Sequence, residues 1–268
     1  MNKKSIIELL PFASQCEEIV AFSTLRRVAD EWNEPFAGFN VCDYTGDTRG
    51  HIMECRRQLC EELGICENCL IMPRQTHSAN VEIIDDNFMA LDASGRSMRL
   101  DGVDALVTQL RGVVIGVNTA DCVPVVLRDT TAGIIGVAHA GWKGTVARIA
   151  GTTVEAMLGM GAGADRIEAS IGPSICPGCF EVGDEVVEQF AEAGFDIGTM
   201  MHRNRETGKA HIDLWEANTA VLEDMGVKRT NIALTHRCTR CNVVRYFSAR
   251  KLGIASGRTF SAIMMKNK

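Results

Sequence analysis

Apolar residues along this chain fall into short runs separated by turn residues. IVAFST (19–24), DALVTQ (104–109), GVVIGVN (112–118), VPVVLRD (123–129) and GIIGVAHA (133–140) are rich in Val and Ile. Runs of this length, bounded by Gly, Asp, Asn and Thr, predict strands. LIMPRQTH (70–77) and NVEIID (80–85) predict two more around the polar segment Gln75–Ala79, and RIEASIGP (166–173), NIALT (231–235) and TFSAIMMK (259–266) complete the set. A helical period occupies residues 47–63, with apolar Ile52, Leu59 and Leu63 and a stop at Gly64. GTVARIAGTTVEAML (144–158), GDEVVEQFAEAG (183–194) and DLWEANTAVLEDMG (213–226) predict further helices, Asp213 being the N-cap of the last. WNEPFAGFN (32–40) reads as loop, and MNKKSIIELLPFA (1–13) as a short helix or ordered arm.

Several strands follow one another in the middle of the chain with no helix between them. That order predicts antiparallel or mixed sheets, an α+β fold rather than strict βαβ alternation. No repeat, low-complexity tract or Pro/Gly/Ser linker divides the sequence, so residues 1–268 are expected to form one domain.

Composition narrows the function classes. Apolar residues make up 46% and charged residues 23%, ordinary globular values. The net charge of −6 argues against a nucleic-acid partner. No apolar stretch approaches the roughly 18 residues of a membrane span. The apolar part of the first segment is short and holds Glu8, unlike a signal peptide, which points to the cytoplasm. The chain has 11 cysteines, with C-x-x-C pairs at Cys66/Cys69, Cys176/Cys179 and Cys238/Cys241. Two such pairs can converge on a structural zinc. Their wide separation and unlike flanks favour reduced, partly buried thiols instead.

Chemistry concentrates around VPVVLRD and GIIGVAHA. With DTTA (129–132) as the connecting loop, Arg128 pairs with Gly133 and Cys122 stands opposite His139 on one face. Opposed Cβ atoms lie about 4.5–5.5 Å apart. Cys122 and His139 can then share a metal ion or form a nucleophile pair, or else be a buried thiol beside a buried imidazole. A one-residue slip would separate them. HAGWKGT (139–145) adds glycines, Lys143 and a helix start suited to an anion. His77, in a polar stretch between apolar segments, is the candidate third ligand; His51, His202, His211 and His236 sit in less suggestive places. Asp121 is a candidate acid or base, although a continuous strand would turn it away from Cys122.

Eight stretches in series, PRQTHSANV, DGVDALVT, NTADCVPVVL, AHAGWKGT, IGPSICPGCFEVGDEV, IDLWEAN, CTRC and YFSARK, resemble the bacterial laccase-domain or polyphenol-oxidase-like family, now read as multifunctional purine nucleoside phosphorylases. The resemblance runs from FSTLR at 22 to the C-terminus. It implies an α+β fold of mixed sheets packed together with helices outside, likened to toxin deamidases and cysteine hydrolases. It implies that His77, Cys122 and His139 bind one zinc, with copper as the alternative, and carry catalysis. The implied reactions are phosphorolysis of adenosine, inosine and methylthioadenosine with inorganic phosphate, and deamination of adenosine. Arg56, Arg250 and Lys143 are the candidate phosphate ligands, and Asn40 a candidate substrate contact. NVCDYTGD (40–47) departs from the family's usual histidine-containing stretch, which bears on substrate preference.

Competing readings are a metal-free Cys–His hydrolase or amidase acting on a cell-wall fragment or peptide amide, a copper-dependent polyphenol oxidase, and a non-catalytic metal- or nucleotide-binding partner protein. With 6 histidines the chain is poorly supplied for a multicopper relay.

Overall fold

The structure, a computed structural model, describes residues 5–28 and 33–267. Two large mixed sheets and one small one are present among the described residues. The first large sheet has five strands, in the order Ile7–Leu9, Ile19–Thr24, Thr259–Met265, Val114–Thr119 and Leu70–Ile71. The second has six, in the order Ile232–Leu234, Glu168–Ile171, Val123–Asp129, Ile134–Ala140, Ala105–Thr108 and Val81–Ile84. Glu181–Val182, Ala210–Ile212 and Met201–Arg203 form the small antiparallel sheet.

Side-chain alternation explains why the central strands read as unbroken apolar runs. Leu106, Val126, Ile135 and Val137 of the six-stranded sheet face Ile115, Val117 and Ile263 of the five-stranded sheet in one core. Their neighbours Val107, Val125, Leu127, Ile134 and Ala138 point the other way, onto the helices Ile149–Gly159 and Leu214–Asp224. The far face of the five-stranded sheet, with Phe22, Val114 and Phe260, is covered by Cys55 and Leu59 of the helix Arg49–Leu63. The layers are therefore helix, sheet, sheet, helix. Strands buried on both faces need apolar residues at every position. Each fully buried Val, Leu or Ile contributes roughly 1.5–3 kcal/mol.

Local chemistry sets the element ends. Thr48 caps the helix Arg49–Leu63 through its hydroxyl, which accepts from the His51 N–H. Gly64 ends it in the left-handed conformation at φ 66°. The single helix expected over 144–158 is instead two, Trp142–Val146 and Ile149–Gly159, because Arg148 takes φ 59° between them. The first segment is an edge strand at Ile7–Leu9 rather than a helix, paired with Ile19–Thr24; Met1–Lys4 and Trp32, parts of the expected arm and loop, lie outside the described residues. Four short helices, Asp86–Ala90, Ala93–Leu100, Ile197–Met200 and Ala249–Leu252, add to those expected.

The hairpin register also differs from expectation. Asp129 pairs with Ile134, so the loop is Thr130–Gly133 and His139 faces Pro124 rather than Cys122. The Asp129 carboxylate accepts from the N–H groups of Thr131 and Ala132, and Gly133 turns the chain at φ 64°. A residue at that φ closes a turn and does not extend a ladder. The displacement is two residues. It preserves the face on which His139 lies, and Cys122 immediately precedes the first paired residue, Val123.

Asp129 does more than close the turn. Its other oxygen accepts from the Gly163 N–H at 2.9 Å and pairs with Arg166 at 3.0 Å, although its side chain is fully buried. Burial raises this carboxyl, and its N–H and guanidinium partners outweigh that and hold it below the ordinary carboxylate value. Asp129→Asn is expected to lower stability by about 1–3 kcal/mol at neutral pH, because an amide cannot accept on both sides. A depressed carboxyl contributes its stability above the unfolded pKa of about 4 and loses it as pH falls through the folded value. Urea unfolding at pH 7 and at successively lower pH should therefore show the wild-type advantage shrinking below about pH 4. A gap that stays constant on acidification would show the charge to be irrelevant.

Candidate metal centre

His77, Cys122 and His139 come from three separate segments, and their donor atoms lie within 4.8 Å of one another. His139 sits near the end of the strand Ile134–Ala140 and is buried. Cys122 is half-buried just before Val123, and His77 is exposed in the loop before Val81–Ile84. The Cys122 Sγ lies 3.9 Å from His77 Nε2, and the two imidazole rings meet edge to face at 4.8 Å. Ligands at about 2.3 Å for sulfur and 2.0 Å for nitrogen would span a little under that sulfur–nitrogen separation around a tetrahedral ion.

One buried carboxylate assembles the centre. Asp104 Oδ1 accepts hydrogen bonds from His139 Nδ1–H at 2.7 Å and from the His77 backbone N–H at 3.1 Å. Asp104 Oδ2 accepts from the backbone N–H groups of Thr76 and Ser78 and from the Ser78 hydroxyl. The Asp104 carbonyl accepts from the His139 N–H at 2.8 Å. A proton held on Nδ1 leaves His139 Nε2 as the free donor atom, the usual carboxylate–histidine arrangement behind a metal ligand. His77 is held at φ 63°, a left-handed conformation uncommon for histidine. Sequence reasoning missed Asp104; DGVDALVT contains it, but nothing local shows which histidine it meets.

The charge states follow from this packing. Burial raises the Cys122 thiol, but the charge of His139 and hydrogen bonds from both histidines outweigh burial and bring it down to about 6. Burial lowers His139, while the Cys122 thiolate and Asp104 raise it to about 9. Burial raises Asp104, and the His139 and Ser78 partners pull it down to about 2. A thiolate, two imidazoles and a second-layer carboxylate fit a borderline-soft divalent metal.

Gly141 is the second residue that sequence reading undervalued. A Cβ there would stand 2.8 Å from His77 Cδ2 and 2.9 Å from Cys122 Sγ. The HAG motif thus leaves room for the His77 and Cys122 side chains.

The remaining candidates are dispersed. Asp121, at φ 87°, accepts from the Thr239 hydroxyl at 2.6 Å and the Arg250 N–H at 2.7 Å, while its carbonyl accepts from Ile175 N–H. It ties three loops to the position beside Cys122, and both carboxylate oxygens are engaged. The Arg250 guanidinium donates to the Glu181 carbonyl and lies over Phe180. Lys143 is exposed beside Trp142, in a helix of 5 residues. Arg56 pairs with Asp43 at 2.9 Å and lines a cavity of about 410 Å³ with Tyr44, Arg74, Arg96 and Asn118. Tyr44 also donates to Gln75, two residues before His77. Asn40 is fully buried; its amide serves Cys42, Asp47 and Arg258 within its own neighbourhood.

Comparison with known proteins gives a consistent neighbourhood. The family model described as multi-copper polyphenol oxidoreductase laccase matches residues 20–266. Adenosine deaminase RL5, from an unknown prokaryotic organism, is 54% identical over 260 residues, 97% of this chain and 99% of that protein. A purine nucleoside phosphorylase of Bacteroides thetaiotaomicron is 41% identical over 231 residues, 86% of each chain. The crystal structure of YlmD from Geobacillus stearothermophilus superposes with a TM-score of 0.85 at 30% identity, covering 94% of this chain and 93% of that one.

Two substitutions test the geometry. Asp104→Asn should keep the fold and weaken metal affinity about 10–100-fold, read by competition with a chromophoric chelator. Undiminished affinity would remove Asp104 from the centre. Gly141→Ala should lower metal occupancy on elemental analysis, because the new methyl group displaces Cys122 or His77. Full occupancy would mean that the loop relaxes freely.

Proposed function

Because this chain belongs to the multi-copper polyphenol oxidoreductase laccase family, we propose that it is a metal-dependent purine nucleoside phosphorylase with adenosine deaminase activity, formed as one domain. What supports this most is the convergence of His77, Cys122 and His139 on one point, backed by Asp104. Relatives named adenosine deaminase and purine nucleoside phosphorylase supply the substrate class. Three protein donors leave a fourth position open, the pattern of catalytic rather than structural zinc; copper is the alternative metal. When bound, the metal supplies a Lewis acid and lowers the pKa of water, as hydrolytic removal of the adenine 6-amino group requires.

The chain's own groups do the rest. Asp104 keeps the Nδ1 proton on His139 and fixes its ring, so that Nε2 faces the shared point. Cys122 serves as thiolate, favoured by the two imidazoles beside it. His77, exposed, stands where a nucleoside can approach. For phosphorolysis, Arg250, Lys143 and Arg56 are the cations from which a phosphate clamp would be drawn. Arg250 is best placed of these, since its backbone is bonded to Asp121 beside Cys122. Asn40, buried and internally bonded, would act on substrate through the shape of its loop. The substrates are small molecules and the expected compartment is the cytoplasm; among the described residues no helix is long and apolar enough to cross a membrane.

A second reading follows from the same pair of groups. A thiol lowered by an adjacent imidazole also suits a Cys–His hydrolase, in the manner of the toxin-deamidase and cysteine-hydrolase folds.

Chromatography of products from adenosine separates these readings. Zinc-loaded protein should form adenine only when phosphate is present and inosine with or without it. His77→Ala and Cys122→Ala should abolish both. Absence of conversion by loaded protein, together with amide hydrolysis that survives chelation, would favour the Cys–His hydrolase.

A further inference from the structure

Two of the three C-x-x-C pairs meet far from each other in sequence. The sulfur atoms of Cys176, Cys179, Cys238 and Cys241 all lie within 4.8 Å of one another. As expected, these four cysteines are free thiols, although Cys241 is exposed, and the two pairs converge despite their unlike flanks; Cys66 and Cys69, by contrast, are joined by a disulfide. Each pair of the cluster spans a tight turn. Cys179 N–H donates to the Cys176 carbonyl at 2.9 Å, and Asn242 N–H to the Cys238 carbonyl at 3.0 Å. The turns are held side by side, with Ser174 and Cys238 paired as a parallel bridge and the Thr239 N–H donating to the Ser174 carbonyl.

Two of the sulfur atoms accept hydrogen bonds from N–H donors. Cys238 Sγ accepts from the backbone N–H groups of Cys176 at 3.4 Å and Cys241 at 3.5 Å. Cys179 Sγ faces the Arg240 guanidinium at 3.4 Å. Cys179 and Cys241 are 3.4 Å apart, too far for a disulfide of about 2.05 Å. Four sulfurs at about 2.3 Å from a tetrahedral ion would stand about 3.8 Å from one another. That spacing fits one shared centre better than two bonded pairs.

We propose that Cys176, Cys179, Cys238 and Cys241 form a closed tetrathiolate site for zinc, separate from the His77–Cys122–His139 centre. A soft thiolate set selects zinc over hard cations, and four protein ligands leave no position for substrate, which marks the site as structural. On binding, the four thiols release their protons and the ion takes four thiolate donors. Its two turns lead directly to Asp121, through the Ile175 N–H and the Thr239 hydroxyl. The ion therefore staples the loops that hold the residue beside Cys122. This second site stands whether or not the enzyme is a phosphorylase.

The test is metal analysis of the full-length protein purified under reducing conditions. Wild type should carry about two zinc per chain, and Cys122→Ala about one, in keeping with one ion per closed or open site. Cys238→Ser should lose the other. Because Cys238 is buried and its replacement by serine costs stability, Cys122→Ala supplies an independent measurement. Loaded with cobalt(II), it should show the intense sulfur-to-metal charge-transfer absorption of a tetrathiolate, displaced by zinc. Thermal unfolding of the same variant should shift to lower temperature when the metal is stripped. Cys122→Ala that takes up no cobalt, leaves all four thiols reactive in the presence of zinc, or carries disulfides among them would overturn the site.

Discussion

The Asp104 carboxylate is the constraint on which the centre depends. It is fully buried, and a buried charge without partners is costly. Here the charge is met by three backbone N–H groups, one hydroxyl and one imidazole. Those partners belong to the 76–78 loop and to the strand Ile134–Ala140, so satisfying one carboxylate brings two of the three donors together. The left-handed turn at His77 costs of order 1–3 kcal/mol. Its N–H bond to Asp104 helps offset that cost.

Asp121 plays the corresponding part for the third donor. It too has an uncommon positive φ, and it too is surrounded by hydrogen-bond donors from distant segments. Both acidic residues thus fold loops onto strand ends, and neither of them is itself one of the three clustered donors. The scaffold of this arrangement is the double-layered sheet, which carries His139 near a strand end, and the loops that the two carboxylates gather carry His77 and Cys122. Function concentrated on loops above a rigid scaffold is the common division of labour in enzymes.

Much of this was legible in the chain. Strands buried on both faces left continuous apolar runs, and their positions were recovered closely. The face shared by Cys122 and His139 was also recovered, although the register was displaced by two residues. That displacement arose because Asp129 chose the turn and Gly133 the left-handed position, whereas pattern alone placed the loop one residue earlier. The break at Arg148 was invisible, since the apolar period runs through it. His202 and His211, which sit in less suggestive places in the sequence, stack on paired strands. Asp104 and the four clustered cysteines were visible as residues. Their partners were not, because contacts across tens of residues leave no local spacing to read.

The strand Thr259–Met265 has an unusual place for so late a segment. It lies between Ile19–Thr24 and Val114–Thr119, bonded to both along its length. A chain emerging from the ribosome therefore carries two open strand edges until almost its last described residues have been made. Such edges are prone to pairing with other chains. Until Thr259–Met265 has been made, the five-stranded sheet stays in two unjoined parts, and loss of that strand would leave exposed edges rather than a slightly narrower layer.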